Sequence, residues 1–237
     1  MRVVSLVPSV TETLLAWGVT PVAVTRFCEH PELSVVGGTK NPDVAAIVDL
    51  APDLVVMNEE ENRREDADAL QGEGLSVHVV RVRAVADVPA SLVELAAAVG
   101  VDAPAVDLVG DEALVAVRAF VPIWRRPWMT LNGDTYGSSL LRLLGVENVF
   151  GAAADRYPET TLDEAAALGP DVVLAPSEPY PFGDRHVTEL AQVAPVELVD
   201  GKDLFWWGVR TAGARERLAQ RLAIGSSRRW GAPDDSA

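Results

Sequence analysis

One strand-forming segment occurs twice in the 237-residue chain, and this repeat constrains the fold more than any other feature. Ala51-Pro52-Asp53-Leu54-Val55-Val56 returns as Gly169-Pro170-Asp171-Val172-Val173-Leu174. The helix-forming segment 14–18, which ends in glycine, returns at a similar spacing as 141–145. A repeat of this length predicts two similar lobes rather than a solenoid of short units.

Each half alternates short β-rich runs with helical stretches, which indicates parallel sheets covered by helices. In the first half we expect strands at residues 3–7, 22–25, 53–57 and 77–80, and helices that end near 18, 50 and 71. Ser9 or Thr11 is predicted to cap the first helix, and Pro42 to occupy the first position of the second. The predicted fold class is α/β, with two similar Rossmann-like lobes built on central parallel sheets.

Residues 87–120 separate the two halves and show helical periodicity, which is interrupted at 100–104 and resumes over 105–119. This pattern predicts a long backbone helix that joins the lobes as a strut. The expected domains are an N-terminal lobe at 1–86, the strut at 87–120, a C-terminal lobe at 121–224 and a disordered tail at 225–237.

Composition and charge exclude several partners. A formal net charge of −15, without clustered Lys and Arg, argues against nucleic acid. No apolar run approaches the roughly 20 residues that span a bilayer, so membrane insertion is not expected. The single cysteine, Cys28, cannot form an internal disulfide. Because a strand opens the chain with no export signal ahead of it, we expect a cytoplasmic protein as written, or a periplasmic or cell-surface protein if the start is truncated. We also expect a monomer.

The sequence lacks the motifs that mark common enzymes: a G-x-S-x-G elbow, an H-E-x-x-H zinc motif or a phosphate-binding G-x-x-x-x-G-K. His30, His78 and His186 are scattered, so Cys28-Glu29-His30 is interpreted as a loop rather than a metal site. Glu59-Glu60-Glu61 is interpreted as a solvated helix start. We therefore expect no catalytic residue, no metal site and no covalent cofactor.

Aromatic residues make up only 6% of the chain, yet they gather in predicted loops after strands. In α/β sheets, ligands bind beyond the carboxyl ends of strands, and large flat side chains there suit a large, partly apolar ligand. For any single ring, ordinary packing of a lobe edge remains the alternative. The set as a whole favours a ligand cleft, and its members are Phe27, Trp124, Trp128, Tyr157, Tyr180, Phe182, Phe205, Trp206 and Trp207.

Several motifs together resemble the helical-backbone (class III) substrate-binding proteins, which serve importers of vitamin B12, siderophores and haem. The resemblance is carried by segments 2–12, 37–43, 51–55, 58–63, 124–130, 156–159 and 177–182. It covers about residues 2 to 224 and is nearest to the group known as cobalamin-binding proteins or helical backbone metal receptors. It implies two lobes joined by one long helix, with the ligand between them.

The resemblance also implies which residues meet the ligand. Aromatic rings would lie on the face of the corrin or chelate, while Lys40, Arg125 and Arg156 would meet its carboxamide or carboxylate edges. The implied ligand-binding residues are Pro8, Ser9, Phe27, Lys40, Asn58, Trp124, Arg125, Trp128, Arg156, Tyr157, Glu178, Tyr180, Phe205 and Trp206.

In this family each lobe presents a surface acid that docks on arginines of the membrane permease. The matching positions precede the proline of each Pro-Asp strand and are Asp163 in the second half and Ala45 in the first. Ala45 has no charge to pair, and Asp43 would face elsewhere on a helix. An ABC permease is therefore an expected partner that only one lobe is equipped to meet.

Two hypotheses of different classes follow. The leading one is a substrate-binding protein of an ABC-type importer that holds cobalamin, another corrinoid, a siderophore or haem, with no catalysis. The alternative is an intracellular metal-chelate handling protein or chelatase-like enzyme on the same fold. Ala45 and the missing export signal favour the alternative, whereas the scattered histidines disfavour it.

Overall fold

The computed structural model describes residues 1–102 and 117–227, with side chains described as far as residue 222. Within these residues the chain forms two compact units. Unit 1 contains Met1–Val82, residues 86–102 and Trp207–Arg210, and unit 2 contains Arg83–Val85, residues 117–206 and residues 211–227. Each unit holds one copy of the Pro-Asp repeat.

Unit 1 is built on a parallel sheet. Its strands in the described part of the chain are β1 (Val3–Ser5), β2 (Ala23–Val24), β3 (Ser34–Val35), β4 (Leu54–Asn58) and β5 (Val77–Val80). They are all parallel and lie in the order β3-β2-β1-β4-β5. The helices are α1 (Pro8–Ala16), α2 (Val44–Asp49), α3 (Arg64–Gly72) and α4 (Val88–Val99).

The central strands of unit 1 are buried on both faces of the sheet. β4 is buried at all five positions, as expected for a strand with helices on both faces. The core combines strand and helix residues: Val4, Leu6, Ala23, Val36, Ile47, Val55, Met57 and Leu70. Helix α4 buries Leu92 and Leu95 and packs on β5, then ends at Gly100, whose φ of 75° is a left-handed conformation that favours glycine.

Unit 2 repeats this plan with its own parallel sheet. Its main strands are β6 (Val117–Phe120), β8 (Val146–Asn148), β10 (Val172–Pro176) and β11 (Val196–Val199), and a small antiparallel pair is formed by β7 (Trp128–Met129) and β9 (Glu159–Thr160). The helices are α5 (Tyr136–Leu143), α6 (Leu162–Ala167), α7 (Asp184–Leu190), α8 (Gly201–Phe205) and α9 (Thr211–Ser227).

The two sheets share one topology. Unit 2 has the order β11-β10-β6-β8, in which the first strand of the unit lies between its second strand and the strand after Pro-Asp. Unit 1 has the same arrangement for β5, β4, β1 and β2, with β3 added at the edge. The α/β fold class with two similar parallel-sheet lobes is confirmed, and known structures described below share it.

Two predicted helix starts are wrong. Helix α1 begins directly at Pro8 after Val7, which makes no side-chain cap, so Ser9 and Thr11 lie inside the helix and do not cap it. Proline suits the first helical position because it has no N–H, and an N–H there would have no partner within the helix. Asp43 caps α2 by accepting a 3.0 Å hydrogen bond from the N–H of Ala46, so Pro42 precedes the cap.

The predicted strut and tail differ from the structure at their ends. Residues 117–119, expected at the end of a helix, belong to β6 because Val117–Phe120 pairs with β8 and β10 inside the unit 2 sheet. Residues 103–116 of the predicted strut lie outside the described residues. Helix α9 reaches Ser227, so residues 225–227 are helical rather than disordered, and residues 228–237 lie outside the described residues.

Candidate functional site

The predicted ligand-binding residues of unit 1 lie at one edge of its sheet. Pro8 and Ser9 follow β1, Phe27 follows β2, Lys40 follows β3, and Asn58 ends β4. Because the strands are parallel, these segments share the carboxyl edge of the sheet, where α/β proteins bind ligands.

The same edge of the unit 2 sheet holds the other predicted residues. They follow the carboxyl ends of four strands: Trp124, Arg125 and Trp128 after β6, Arg156 and Tyr157 after β8, Glu178 and Tyr180 after β10, and Phe205 and Trp206 after β11. The fold therefore brings residues that are far apart in sequence to one edge in each unit.

The aromatic residues after β6 and β10 form one packed cluster. Trp128 stacks on Phe182 with ring centroids 6.0 Å apart and an interplanar angle of 6°. Tyr180 lies 4.7 Å from Phe182 and meets Trp124 edge to face at 5.6 Å. Phe182 is buried, whereas Trp124 is 44% exposed. A rigid, supported indole ring is thus presented to solvent at the carboxyl edge of unit 2.

The guanidinium of Arg125 lies against this aromatic cluster. Its guanidinium donates a 2.8 Å ion-pair contact to Oε2 of Glu189 and lies 5.9 Å from the ring of Trp128. Burial opposes the charge of Arg125, but hydrogen bonds with Tyr180 and Glu189 outweigh it and raise the pKa of the guanidinium. The predicted ligand contact is therefore already paired with an acid of α7.

His186, for which the sequence predicted no role, is part of the same cluster. Its ring is 4% exposed and packs edge to face against Tyr180 and Phe182, with centroids 5.4 Å from each. Burial, with Arg185 and Arg125 nearby, lowers the pKa of His186. The histidine is therefore neutral near pH 7. Its position six residues after Tyr180 is the sequence feature that could have indicated its place in the cluster.

Arg156, which is half-buried, and Tyr157, which is exposed, form a second group in unit 2. The Nε of Arg156 donates a 2.8 Å hydrogen bond to the carbonyl oxygen of Asp134 and lies 3.4 Å from the carboxylate of the same residue. The guanidinium lies 5.7 Å from the ring of Tyr157, which is exposed. A cation held against an exposed ring suits the polar rim of an aromatic ligand.

The segments after β10 and β11 are locked together at Gly201. Its N–H donates a 3.0 Å hydrogen bond to Oγ of Ser177. A Cβ on Gly201 would lie 2.5 Å from the main-chain nitrogen of Glu178, so only glycine fits there. Lys202 follows Gly201 directly, and its Nζ lies 5.0 Å from the ring of Trp206, while Phe205 packs against Gly137.

In unit 1 the predicted residues differ in how far they are available to a ligand. Phe27 is 55% exposed. Lys40 is exposed, and its Nζ donates a 2.5 Å hydrogen bond to the carbonyl oxygen of Glu60. Pro8 and Ser9 are buried at the start of α1. The side-chain oxygen of Asn58 accepts hydrogen bonds from the N–H groups of Glu60 and Glu61, at 2.7 and 3.2 Å, and so organises the loop.

Asn62 is a structural residue of this edge that the sequence analysis missed. Its Nδ2 donates hydrogen bonds to the carbonyl oxygens of Leu6 and Thr39, at 3.2 and 2.9 Å. Its Oδ1 accepts a 2.7 Å bond from the N–H of Asn58. One buried amide therefore ties together the chain after β1, β3 and β4, and the four-residue spacing of the two asparagines was the hint.

The two predicted docking positions occupy the same place in equivalent helices. Ala45 is the second residue of α2 and Asp163 the second residue of α6. Both are exposed. Asp43, two residues before Ala45, accepts the hydrogen bond that caps α2 through its Oδ1.

Two further properties bound the chemistry of the described residues. In the described part of the chain, no three His, Cys, Asp or Glu side chains are grouped so that they could hold a metal ion. No helix among the described residues is long and apolar enough to cross a membrane.

Two parallel-sheet units of one topology, one of them with an aromatic cluster at its carboxyl edge, define a two-unit α/β binding protein. Residues 3–189 match the periplasmic binding protein family, and the chain belongs to that family. Its members are substrate-binding proteins of transporters rather than enzymes, which confirms the predicted family and the prediction that the chain is not an enzyme.

Relatives and solved structures agree with this assignment. The vitamin B12-binding protein of Vibrio vulnificus (strain CMCP6) is 25% identical over 192 residues, which cover 73% of this chain and 70% of the relative. The periplasmic vitamin B12-binding protein BtuF of Vibrio cholerae has a similar fold, with a TM-score of 0.74 at 18% identity over 95% of this chain and 97% of that one. The periplasmic haem-binding protein BhuT, solved with two haems, has a TM-score of 0.77 at 23% identity over 94% and 98%.

The compartment expected from the N-terminus is not supported. The family is one of periplasmic binding proteins, and the similar solved structures are of periplasmic proteins. These findings favour the periplasmic alternative over the cytoplasmic expectation.

Proposed function

We propose that this protein binds a corrinoid, with cobalamin as the first candidate, and delivers it to an ABC importer from the periplasmic side. The observation that carries the proposal is the exposed ring of Trp124, held edge to face by Tyr180 above the stacked pair of Trp128 and Phe182. A rigid aromatic surface loses little conformational entropy when a large macrocycle packs on it. Family membership and the vitamin B12-binding relatives support the same ligand class.

The polar surroundings favour a neutral ligand rim over a carboxylate rim. Arg125 is paired with Glu189, and Arg156 with Asp134. The chain carries a formal net charge of −15, which opposes the approach of an anion. The rim of a corrinoid carries uncharged carboxamides, whereas haem carries two propionates, so we rank the corrinoid first and haem second.

Binding requires no chemistry from the protein in this proposal. The ligand is held without a covalent bond, and its metal stays in the macrocycle. The position of the ligand between two lobes, which the sequence predicts, remains a prediction. Within unit 2, Trp124, Tyr157 and Trp206 would contact the macrocycle, with Arg156 and Lys202 near its rim.

Titration distinguishes the candidates. Purified protein is titrated with cyanocobalamin, hemin and a ferric siderophore, with heat and visible absorbance followed together. We expect saturable one-site heat and a cobalamin absorbance change with cyanocobalamin. A Soret shift with hemin and no response to cyanocobalamin would replace the corrinoid by haem. No heat and no absorbance change with any of the three would overturn the proposal.

We also propose that α6 meets the permease through Asp163. The residue is exposed in the first turn of a helix whose Thr161–Glu164 capping box fixes its start. Ala45 holds the same helical position in unit 1 without a charge. Docking in this proposal is therefore asymmetric, with one ion pair instead of two.

A further inference from the structure

Tyr180 carries a hydroxyl group at the end of its ring, and the neighbours of this hydroxyl determine the direction of its hydrogen bonds. Its ring lies between the exposed Trp124 and the buried Phe182, and its side chain is partly exposed. Its hydroxyl lies 3.4 Å from Nε2 of His186. A phenol oxygen accepts up to two hydrogen bonds and donates one, so the roles of its neighbours decide where its proton points.

The tautomer of His186 follows from its other ring nitrogen. Nδ1 accepts a 3.1 Å hydrogen bond from the main-chain N–H of Gly183, so Nδ1 carries no proton. The neutral ring must then carry its proton on Nε2, and the lowered pKa of this buried histidine keeps the ring neutral. His186 therefore donates its Nε2–H to the hydroxyl oxygen of Tyr180.

The second neighbour of the hydroxyl is also a donor. The guanidinium of Arg125 interacts with Tyr180, and a guanidinium has donors only. Neither His186 nor Arg125 can therefore accept the hydroxyl proton of Tyr180. Among the described residues no acceptor is recorded for the hydroxyl proton of Tyr180, and the side chain is open to solvent.

We infer that Tyr180 presents its hydroxyl proton outward as a hydrogen-bond donor to an oxygen on the rim of the bound chelate, with His186 as the positioning residue that enforces this direction. The acceptor is a carbonyl oxygen of a carboxamide or a carboxylate oxygen. The nature of the ligand rests on the proposed function, but the direction of the proton rests on the His186 tautomer and on the neighbouring Arg125, whichever ligand binds.

The tautomer is tested first, on the free protein. The chain has three histidines, so long-range ¹H–¹⁵N spectra of the side chains are assignable with a His186→Gln variant. We expect His186 at pH 7.5 to be neutral with its proton on Nε2. A neutral ring with its proton on Nδ1 overturns the inference, because Nε2 would then accept the hydroxyl proton of Tyr180.

The ligand contact is tested by Tyr180→Phe, which keeps the ring and removes only the hydroxyl. Because a hydrogen bond of this kind contributes about 0.5–1.5 kcal/mol, we expect about two- to tenfold weaker binding of cyanocobalamin. Tyr136→Phe is the matched control in the same unit. Its hydroxyl is buried at 3.0 Å from Oγ1 of Thr211, and burial raises the pKa of Tyr136 to about 12.

Each outcome decides between the two proposals. Equal affinity of Tyr180→Phe and the wild-type protein for cyanocobalamin overturns the inference while leaving the proposed function intact. If hemin is the ligand that binds, the same variant is compared with hemin, and weaker binding supports a carboxylate acceptor. If the wild-type protein binds neither probe, the proposed function fails, and the tautomer measurement still decides the direction of the hydroxyl.

Discussion

The main-chain N–H of Arg118 donates a 2.7 Å hydrogen bond to Oδ2 of Asp171, which joins the start of β6 to the start of β10. Unit 1 contains the same bond, because the N–H of Arg2 donates to Oδ2 of Asp53 at 2.6 Å. In each unit the arginine side chain also donates to a carbonyl just before the Pro-Asp strand, Gly169 or Leu50, at 2.8 Å. The aspartate of the repeated Pro-Asp motif therefore fixes the register between two neighbouring strands in both sheets.

Replacing the aspartate of the Pro-Asp motif should destabilise the unit that contains it. Asp171→Ala removes the acceptor for the Arg118 N–H, and since the bond is exposed we expect a loss of about 1 kcal/mol in the free energy of unfolding. Asp171→Asn keeps an oxygen acceptor and should lose less. Urea unfolding measures both, and Asp53→Ala provides the equivalent change in unit 1. A wild-type midpoint for Asp171→Ala would refute this role.

The parts of the fold that depend on local pattern and repetition were predictable from the sequence. The strand 77–80 matches β5, and the repeat predicted two related sheets. Strand β3 was missed because Ser34 and Val35 are two exposed residues at an edge, with no buried face to create a pattern. Residues 117–119 were assigned to a helix because Val117 fits a helical spacing, although their pairing with two other strands decides for a strand.

Side-chain type alone led to the aromatic residues of the candidate site, and their contact with a ligand stays a prediction. Large rings after strands, such as Trp124 and Tyr180, stand out in a sequence with few aromatics. Asn62 and His186 were missed because their roles depend on bonds to main-chain groups that only the folded chain brings near. Arg125 was predicted to meet the edge of the ligand. Its ion pair with Glu189 of α7 was not predicted, because no local sequence pattern links the two residues.

Gly201 should tolerate no side chain. In Gly201→Ala the new Cβ would lie 2.5 Å from both the main-chain nitrogen and Cγ of Glu178, so the loop after β10 must shift. We expect a loss of about 1–3 kcal/mol in the free energy of unfolding and weaker cyanocobalamin binding, since the same loop carries Tyr180. Urea unfolding and calorimetric titration measure the two effects.

Gly72→Ala is the matched control for this change. A Cβ on Gly72 meets no atom within 4 Å, and the residue lies in α3. Alanine there should raise the free energy of unfolding by roughly 0.5–1 kcal/mol and leave binding unchanged. A Gly201→Ala protein that behaves like Gly72→Ala would show that the loop after β10 is not fixed by this contact.

The stability of the protein should fall on mild acidification because of His186. Burial, with Arg185 and Arg125 nearby, lowers its pKa in the folded protein, while the unfolded chain has the ordinary value near 6.5. As the pH falls below about 6.5, the unfolded state binds a proton that the folded state refuses, so the free energy of unfolding decreases. This decrease continues down to the folded pKa.

Urea midpoints measured between about pH 5 and 7.5 test this linkage, in the range above most carboxylate titration. His186→Gln should show a shallower pH slope than the wild-type protein, whatever its absolute stability. His78, whose pKa burial also lowers against the opposing influence of Glu94, contributes to the remaining slope. An unchanged slope in His186→Gln would contradict the assignment.

Trp124 should contribute most to ligand affinity among the rings after β6. Trp124→Ala removes the exposed indole that Tyr180 supports, and we expect at least about tenfold weaker cyanocobalamin binding, as for buried aromatic anchors of interfaces. Trp17→Ala is the control, because Trp17 ends α1 at the edge of the unit 1 sheet opposite to the carboxyl edge. Trp17→Ala should lower stability without changing affinity.

Docking to the permease should respond to opposite changes at two equivalent helical positions. With the permease–ATPase complex from the same genome in membranes, Asp163→Ala should reduce ligand-dependent stimulation of ATP hydrolysis because it removes the exposed acid of α6. Ala45→Glu restores a charge at the same position of α2 and should increase stimulation. Glu65→Ala is the control, since Glu65 is an exposed acid at the second position of α3. Stimulation that is identical in all three variants, with cyanocobalamin affinity unchanged, would exclude both helices from the docking surface.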